Sequence, residues 1–386
     1  MNIEKDINLI KKNVLEMIGE AELKEKLSSG AKLRVKFGVD PTSCDLHLGH
    51  SVVLQKLRQF QDMGHTVVLI IGDFTAQIGD PSGRDTTRPV LADDIVKRNA
   101  ETCTQQAFKV LEKSRTEIRY NSEWLKGFMA GQDFINVSKN MTISRLLERE
   151  DFKSRLADQS PVSLLEILYP IFQGYDSVAI KADIELGGND QIFNMLVGRA
   201  VQKIYSQTPQ TVTTMPLLVG TDGVKKMSKS YCNYIGIADS ASDIFGKVMS
   251  ISDDLMYDYY KILTDENVEE IKALHPMKAK KKLASILVEK YHGKNEAEGA
   301  LENFEKVFSK KEIPEDIQEF IVSKPEKLVD ILLLVGICKG KNEARRLISQ
   351  GAVKIDNEKI KEDFIFEPKE CILQVGRRHF RKLRGS

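Results

Sequence analysis

Cysteine is scarce: Cys44, Cys103, Cys232, Cys338 and Cys371 are scattered, odd in number and form no C-x-x-C pair. That pattern excludes a zinc ribbon and a disulfide framework, and it fits reduced thiols in a cytoplasmic protein. No stretch approaches eighteen uninterrupted apolar residues, so no membrane-spanning helix is expected. The first residues, Met1-Asn2-Ile3-Glu4-Lys5-Asp6, are mixed in charge and lack the apolar centre of a signal peptide. Net charge is nearly absent at +1, so global electrostatics names no partner. Neither G-x-x-x-x-G-K-[S/T] nor G-x-G-x-x-G follows the first strand pattern, which excludes phosphate loops of those two types. Repeats and low-complexity tracts are missing as well.

What is present reads as a soluble globular protein. Of the 386 residues, 41% are apolar and 29% charged, enough for two or three domains with substantial cores. Charge is unevenly spread. Between Glu326 and Ser386, fourteen Lys and Arg stand against nine Asp and Glu, which leaves the rest of the chain slightly acidic. A basic C-terminal module suits a polyanion contact, although a solvated charged surface has the same composition.

Residues 1–30 repeat apolar side chains at helical spacing. Leu33–Val39 predicts a strand, Ser51–Met63 a helix closed by Gly64, and His65–Gly72 a β-branched run suited to a strand buried on both faces. This strand–helix–strand order is a βαβ unit. A helix is expected over Ala92–Lys113 and a strand at Glu117–Tyr120. Residues 121–168 read as a helical insertion. Strands follow at Val178–Leu186 and Val212–Val219, with a helix at Gln191–Tyr205 between them. The alternation predicts an α/β fold, a doubly wound parallel-sheet (Rossmann-like) domain over 1–235. Residues 236–308 read as a helical domain, 309–325 as a linker, and 326–386 as a small α+β domain.

Two stretches carry chemistry. His47-Leu48-Gly49-His50 opens the first helix of the βαβ unit, where unpaired backbone N–H groups favour an anion. Its imidazoles lie one turn apart and are able to donate toward one spot, though they also suit helix capping, a core position or a metal pair. Lys225-Lys226-Met227-Ser228-Lys229-Ser230 follows a strand and a glycine-containing turn. A cationic loop at that sheet edge suits ligand binding, and a solvated charge run is its alternative.

Together they resemble the paired HIGH and KMSKS motifs of class I aminoacyl-tRNA synthetases, here HLGH (47–50) and KMSKS (226–230). Further stretches, Gly79-Asp80-Pro81-Ser82-Gly83, Tyr169-Pro170-Ile171-Phe172-Gln173-Gly174-Tyr175-Asp176 and Gly187-Gly188-Asn189-Asp190-Gln191, are similar to bacterial tyrosyl members of that class. The resemblance covers nearly the whole chain, and residues 326–386 are similar to the S-four-type RNA-binding domain that ends those enzymes.

The resemblance implies a cytoplasmic tyrosine–tRNA ligase that works on ATP with Mg²⁺, L-tyrosine and its tRNA, as a homodimer with the 121–168 insertion near the interface. It implies that Asp80, Tyr169 and Gln173 hold the substrate ammonium, that Asp176 accepts from the phenol, and that Asp190 and Gln191 contact the ribose and substrate. Residues 236–308 become an anticodon-binding domain. ATP is expected at His47, Gly49, His50, Asp190 and Lys226-Met227-Ser228-Lys229-Ser230. Thr42, His47 and His50 on one side, and Lys226 and Lys229 on the other, are the expected stabilisers of charge on the phosphates, with Arg84 and Arg88 as pyrophosphate clamps. Lys339, Lys341, Arg345, Arg346, Arg377 and Arg378 are the expected RNA contacts. No protein cage for a metal is expected. The chain departs from the tyrosyl pattern near the first motif: Lys36 and Phe37 stand where some members carry a second phenol-binding tyrosine, and Asp40 is a candidate helper. Rivals are a tryptophanyl enzyme on the same α/β body, and an RNA-binding or splicing factor that retains the scaffold.

Overall fold

The hydrophobic strands of the first half assemble into one six-stranded sheet, β1 (Glu16–Ile18), β2 (Arg34–Val39), β3 (Thr66–Ile71), β4 (Thr116–Tyr120), β5 (Ile184–Gly188) and β6 (Thr211–Met215), in the order β1-β6-β5-β2-β3-β4. The computed structural model describes residues 3–42, 45–82, 92–309, 318–338, 340–356, 358–376 and 379–385. They form two compact units, 1–293 and 294–386.

In the first unit β2 to β6 run parallel and β1 closes one edge antiparallel. β3 is buried along nearly its whole length, as its Val-Val-Leu-Ile-Ile run requires of a strand covered on both faces. Helices α1 (Ile3–Lys11) and α2 (Glu20–Ser28) flank β1, a strand that the helical spacing of residues 1–30 conceals. Helix α3 (Leu48–Asp62) connects β2 to β3 and stops at Gly64, whose φ of 93° suits glycine. Helix α4 (Asp93–Ala107) ends before the expected Lys113.

The 121–168 stretch is helical, as read. It holds α5 (Ser122–Ala130), α6 (Gln132–Lys139), α7 (Ile143–Leu146) and α8 (Glu150–Ala157). Helix α9 (Leu164–Ala179) starts inside it at a reciprocal cap, in which Ser163 and Glu166 satisfy each other's backbone N–H groups. It then consumes the residues read as the start of a strand at Val178, so β5 begins only at Ile184. The apolar run after Val178 is a helix end plus a strand, and periodicity does not divide such a run. Helix α10 (Ile192–Ile204) links β5 to β6.

After β6 the chain builds the helices α11 (Ala241–Met249), α12 (Asp253–Leu263), α13 (Val268–Lys272) and α14 (Pro276–His292) within the same unit. The fully buried Tyr259 donates its hydroxyl to the Val219 carbonyl at 2.7 Å, which ties α12 to the segment before the lysine loop. Among the described residues no helix is long and apolar enough to cross a membrane.

The second unit contains α15 (Lys294–Ser309), strands β7 (Glu319–Val322) and β8 (Glu326–Lys327), helices α16 (Leu328–Leu334) and α17 (Lys341–Ser349), and strands β9 (Val353–Ile355), β10 (Glu358–Ile360), β11 (Ile365–Phe366), β12 (Cys371–Val375) and β13 (His379–Gly385). Part of the expected 309–325 linker is therefore sheet: β7 pairs in parallel with β13 and puts Val322 in the core beside Leu328, Leu332 and Leu383. With only Val322 fully buried among its four residues, β7 is too short to show alternation.

Candidate active site

The strand order reverses between β2 and β5, where one connection leaves toward β3 and the other toward β6. Open α/β sheets bind ligands outside the carboxyl ends of strands at that switch point. A cavity of about 710 Å³ opens there, walled by β2, the N-terminus of α3, α9, the β5–α10 turn and the lysine loop.

The first wall is the start of α3. His47 is its N-cap: its Nδ1 accepts from the Gly49 N–H at 3.1 Å, while His50 Nδ1 accepts from the His47 N–H at 3.2 Å. A ring nitrogen that accepts carries no proton, so both protons sit on Nε2. Burial, with His50 and Lys229 nearby, holds the His47 pKa well below its ordinary value. Burial and Lys229 push His50 down to about 4. Two neutral imidazoles, centroids 4.0 Å apart, thus serve as N–H donors at neutral pH. Gly49 is required by this cap, since a Cβ there would lie 2.9 Å from His47 Cε1. The capping and ligand-donating roles left open by the sequence are compatible, because they use different ring nitrogens. Thr42 lines the same wall.

The second wall is the lysine loop. Asn233, buried, shapes it by accepting from the Ser228 N–H at 2.8 Å and donating to Asp222 Oδ2 at 2.9 Å. Lys226 pairs with Asp190 at 2.8 Å and Lys229 with Asp45 at 2.7 Å. Met227, Ser228 and Ser230 also face the cavity. The chain then returns to the first wall, where the Leu48 N–H donates to the Ile235 carbonyl and the Ile237 N–H to the Leu46 carbonyl. A domain boundary drawn at 235 therefore cuts a backbone pairing that joins the two motifs.

The deep end collects the remaining expected residues. Tyr169, Gln173 and Asp176 all belong to α9 and face the cavity. The Tyr169 hydroxyl donates to Asp40 Oδ2 at 2.8 Å, and Thr75 donates to Asp40 Oδ1 at 2.7 Å. Gly72 lets Asp40 approach: a Cβ there would lie 2.0 Å from Asp40 Oδ1. Asp80 accepts from the Ser82 N–H at 2.9 Å and from Gln191 Nε2 at 2.7 Å. Asp176 is 4% exposed and accepts from Trp124 Nε1 at 2.7 Å. Burial pushes its carboxyl up to about 7, against the opposing pull of Lys36 and the hydrogen bonds of Trp124 and Asn121.

Lys36 does not line the cavity. It is fully buried beneath it and donates to the Gln173 carbonyl and Ser177 Oγ, both at 2.7 Å, and to Glu185 Oε1 at 2.8 Å. Glu185 also accepts from Gln173 Nε2 at 3.2 Å. Sequence reasoning flagged Lys36 but missed Glu185. Its signal was a lone carboxylate in the apolar run Ile184-Glu185-Leu186, which β-pairing sets directly opposite Lys36. Asp45, the partner of Lys229, was missed too.

Arg84 and Arg88, expected beside the Asp80 turn, lie outside the described residues, as do Lys339, Arg377 and Arg378. On α17 of the second unit, Lys341, Arg345 and Arg346 are exposed, and Lys341 pairs with Asp330 at 2.7 Å. Among the described residues no group of three His, Cys, Asp or Glu side chains is placed to hold a metal.

The profile of the family described as tRNA synthetases class I (W and Y) matches residues 28–309, and that of the S4 domain matches residues 326–370. The chain is 49% identical to a tyrosine–tRNA ligase of Thermotoga maritima over 397 aligned positions, covering 100% of this chain and 99% of that protein. It is 50% identical to one of Aquifex aeolicus, covering 93% of each. Among solved structures, tyrosyl-tRNA synthetase complexed with L-tyrosine from Archaeoglobus fulgidus superposes with a TM-score of 0.63 at 23% identity, covering 78% of this chain and 100% of that one. At that identity the likeness concerns the fold.

Proposed function

The chain belongs to the class I tRNA synthetases of the tryptophan and tyrosine group, and from that premise we propose how its cavity selects and activates tyrosine. It carries tyrosine–tRNA ligase activity. The tyrosine carboxylate attacks the α-phosphate of ATP, pyrophosphate leaves, and the terminal ribose hydroxyl of the tRNA then takes the tyrosyl group from the adenylate. The substrate supplies the nucleophile, so the protein's task is orientation and stabilisation of charge spreading onto phosphate oxygens.

The observation that carries this reading is that one cavity holds two neutral imidazole donors, two lysines and buried carboxylates. In our assignment His47 and His50 donate Nε2–H to the phosphates, with Thr42 beside them. Lys226 and Lys229 exchange their carboxylate partners for phosphate oxygens when ATP binds. Asp190, freed of Lys226, accepts from the ribose. Asp80, Tyr169 and Gln173 take the tyrosine ammonium, Gln191 contacts the substrate, and Asp176 accepts the phenol hydrogen.

Asp40 acts by fixing the Tyr169 hydroxyl. Mg²⁺ enters as the counter-ion of ATP, held by its phosphates. Arg84 and Arg88 remain assigned to pyrophosphate from the sequence pattern. The S4 unit binds tRNA through Lys341, Arg345, Arg346, Lys339, Arg377 and Arg378, and the helical 236–308 region meets the anticodon.

We assign a homodimer whose interface uses the insertion, where Ile143, Leu164 and Leu165 are exposed apolar side chains. Sedimentation equilibrium at micromolar concentration tests it, and a monomer mass would refute it. A cytoplasmic setting fits five scattered cysteines with no C-x-x-C pair. The catalytic assignment is tested by His47→Ala and Lys229→Ala. Each lowers tyrosine-dependent ATP–pyrophosphate exchange on the order of a hundredfold, as loss of one transition-state donor does. Near-normal exchange removes that residue from the mechanism.

A further inference from the structure

Asp80 and Gln173, two of the residues assigned to the ammonium, are joined through Gln191 and Asn194 by a hydrogen-bonded chain that begins outside them, at Arg149 of the helical insertion. Arg149 is 5% exposed. Its Nε and Nη2 grip Asp151 at 3.0 and 2.7 Å, and its guanidinium lies 4.9 and 5.7 Å from the ring centroids of Phe152 and Phe193. That leaves Nη1 to donate to Asn194 Oδ1 at 2.7 Å, while Nη2 also donates to Ser82 Oγ at 3.1 Å. Asn194, itself 1% exposed, donates Nδ2 to Gln173 Oε1 at 3.0 Å and to Gln191 Oε1 at 3.1 Å, with Ser82 Oγ farther off at 3.4 Å. Gln173 Nε2 then donates to Glu185, and Gln191 Nε2 to Asp80.

The chain has one direction. A guanidinium only donates and an ionised carboxylate only accepts. Between Arg149 at the head and Glu185 and Asp80 at the two tails, each amide has a single orientation that satisfies both neighbours. Asn194 turns its oxygen to Arg149, so its NH₂ faces both glutamines. Their oxygens face Asn194 and keep a second lone pair for an ammonium. Reversing either glutamine would oppose NH₂ to NH₂ and present donors to a cationic substrate.

We propose that Arg149, acting through Asn194, is a positioning residue that fixes the carbonyl oxygens of Gln173 and Gln191 toward the substrate's ammonium. This rests on the reading of Asp80, Gln173 and Gln191 as amino-acid contacts. It extends that reading to a residue of the insertion that touches neither substrate.

The test is steady-state ATP–pyrophosphate exchange, with KM for tyrosine and for ATP measured separately and thermal unfolding recorded for each variant. Arg149→Met and Asn194→Asp each raise KM for tyrosine about tenfold or more, the scale of an orphaned buried hydrogen-bonding group, and leave KM for ATP within about twofold. Arg149→Lys recovers part of the loss, since it restores a donor without the fork. Asn194→Asp keeps an acceptor for Arg149 and replaces the donors to the glutamines with a carboxylate oxygen, so it decides the matter if Arg149→Met does not fold. Asp80→Asn is the reference variant. If it raises KM for tyrosine while Asn194→Asp does not, the relay is refuted and the ammonium site stands. If Asp80→Asn itself leaves KM for tyrosine unchanged, the ammonium site is refuted. Equal rises in both KM values would mark a general structural defect and overturn the positioning role.

Discussion

In the proposed site, Asp176 offers the sharpest test of amino-acid recognition, because burial pushes its carboxyl up to about 7. The groups around it are Lys36 on β2, Glu185 on β5, and Trp124 and Asn121 on α5 or just before it. A phenol donates best to the ionised form. With a pKa near 7, roughly a tenth of the empty sites are competent at pH 6, half at pH 7 and nine-tenths at pH 8. Apparent affinity scales with that fraction, so KM for tyrosine falls about tenfold from pH 6 to pH 8. His47 and His50 stay neutral across this window, since both are depressed by burial, and do not contribute to the change. The assay is pyrophosphate exchange at saturating ATP over that range, with Asp176→Asn in parallel. The variant binds tyrosine more weakly at pH 8 and has a flat profile. A flat profile in the wild-type protein, or an unchanged slope in Asp176→Asn, would refute the assignment. The sign of the stability effect is opposite. The folded state holds a proton that the unfolded chain releases above about 4, so Asp176 lowers stability as pH rises from about 4 to 7. Asp176→Asn accordingly raises Tm at pH 8, and a fall there would contradict the buried charge.

Lys36→Met leaves the buried Glu185 carboxylate without its counter-charge and lowers stability by about 3–5 kcal/mol, measured by urea unfolding. The double variant Lys36→Met/Glu185→Gln recovers much of that loss, and a neutral Lys36→Met would show that the pair is not sealed from water. Lys341→Ala/Arg345→Ala/Arg346→Ala weakens tRNA charging and its salt dependence while pyrophosphate exchange is unchanged, because phosphate contacts set that affinity. Equal charging by this variant at physiological salt would remove α17 from the RNA surface.

The walls of the candidate site were legible because each motif is local: HLGH caps its own helix, KMSKS is one loop, and Tyr169, Gln173 and Asp176 share a face of α9. Central strands such as β3 announced themselves by continuous β-branched burial. What stayed hidden depends on tertiary pairing. Asp45 meets Lys229 across 184 residues, and Glu185 meets Lys36 only once β2 and β5 are set side by side. Arg149 reads as one more charge on a helical insertion until Asn194 is folded against it. Short strands at the margins, β1 and β7, have three and four residues and too little alternation to declare themselves. The end of α9 and the start of β5 share one apolar run, so their boundary is set by packing.

The central claim is that this cavity activates tyrosine. Pyrophosphate exchange with the purified full chain, run with tyrosine, with tryptophan and with no amino acid, tests it most directly. Tyrosine alone should drive exchange. Exchange driven by tryptophan, or none with any amino acid, would contradict the account.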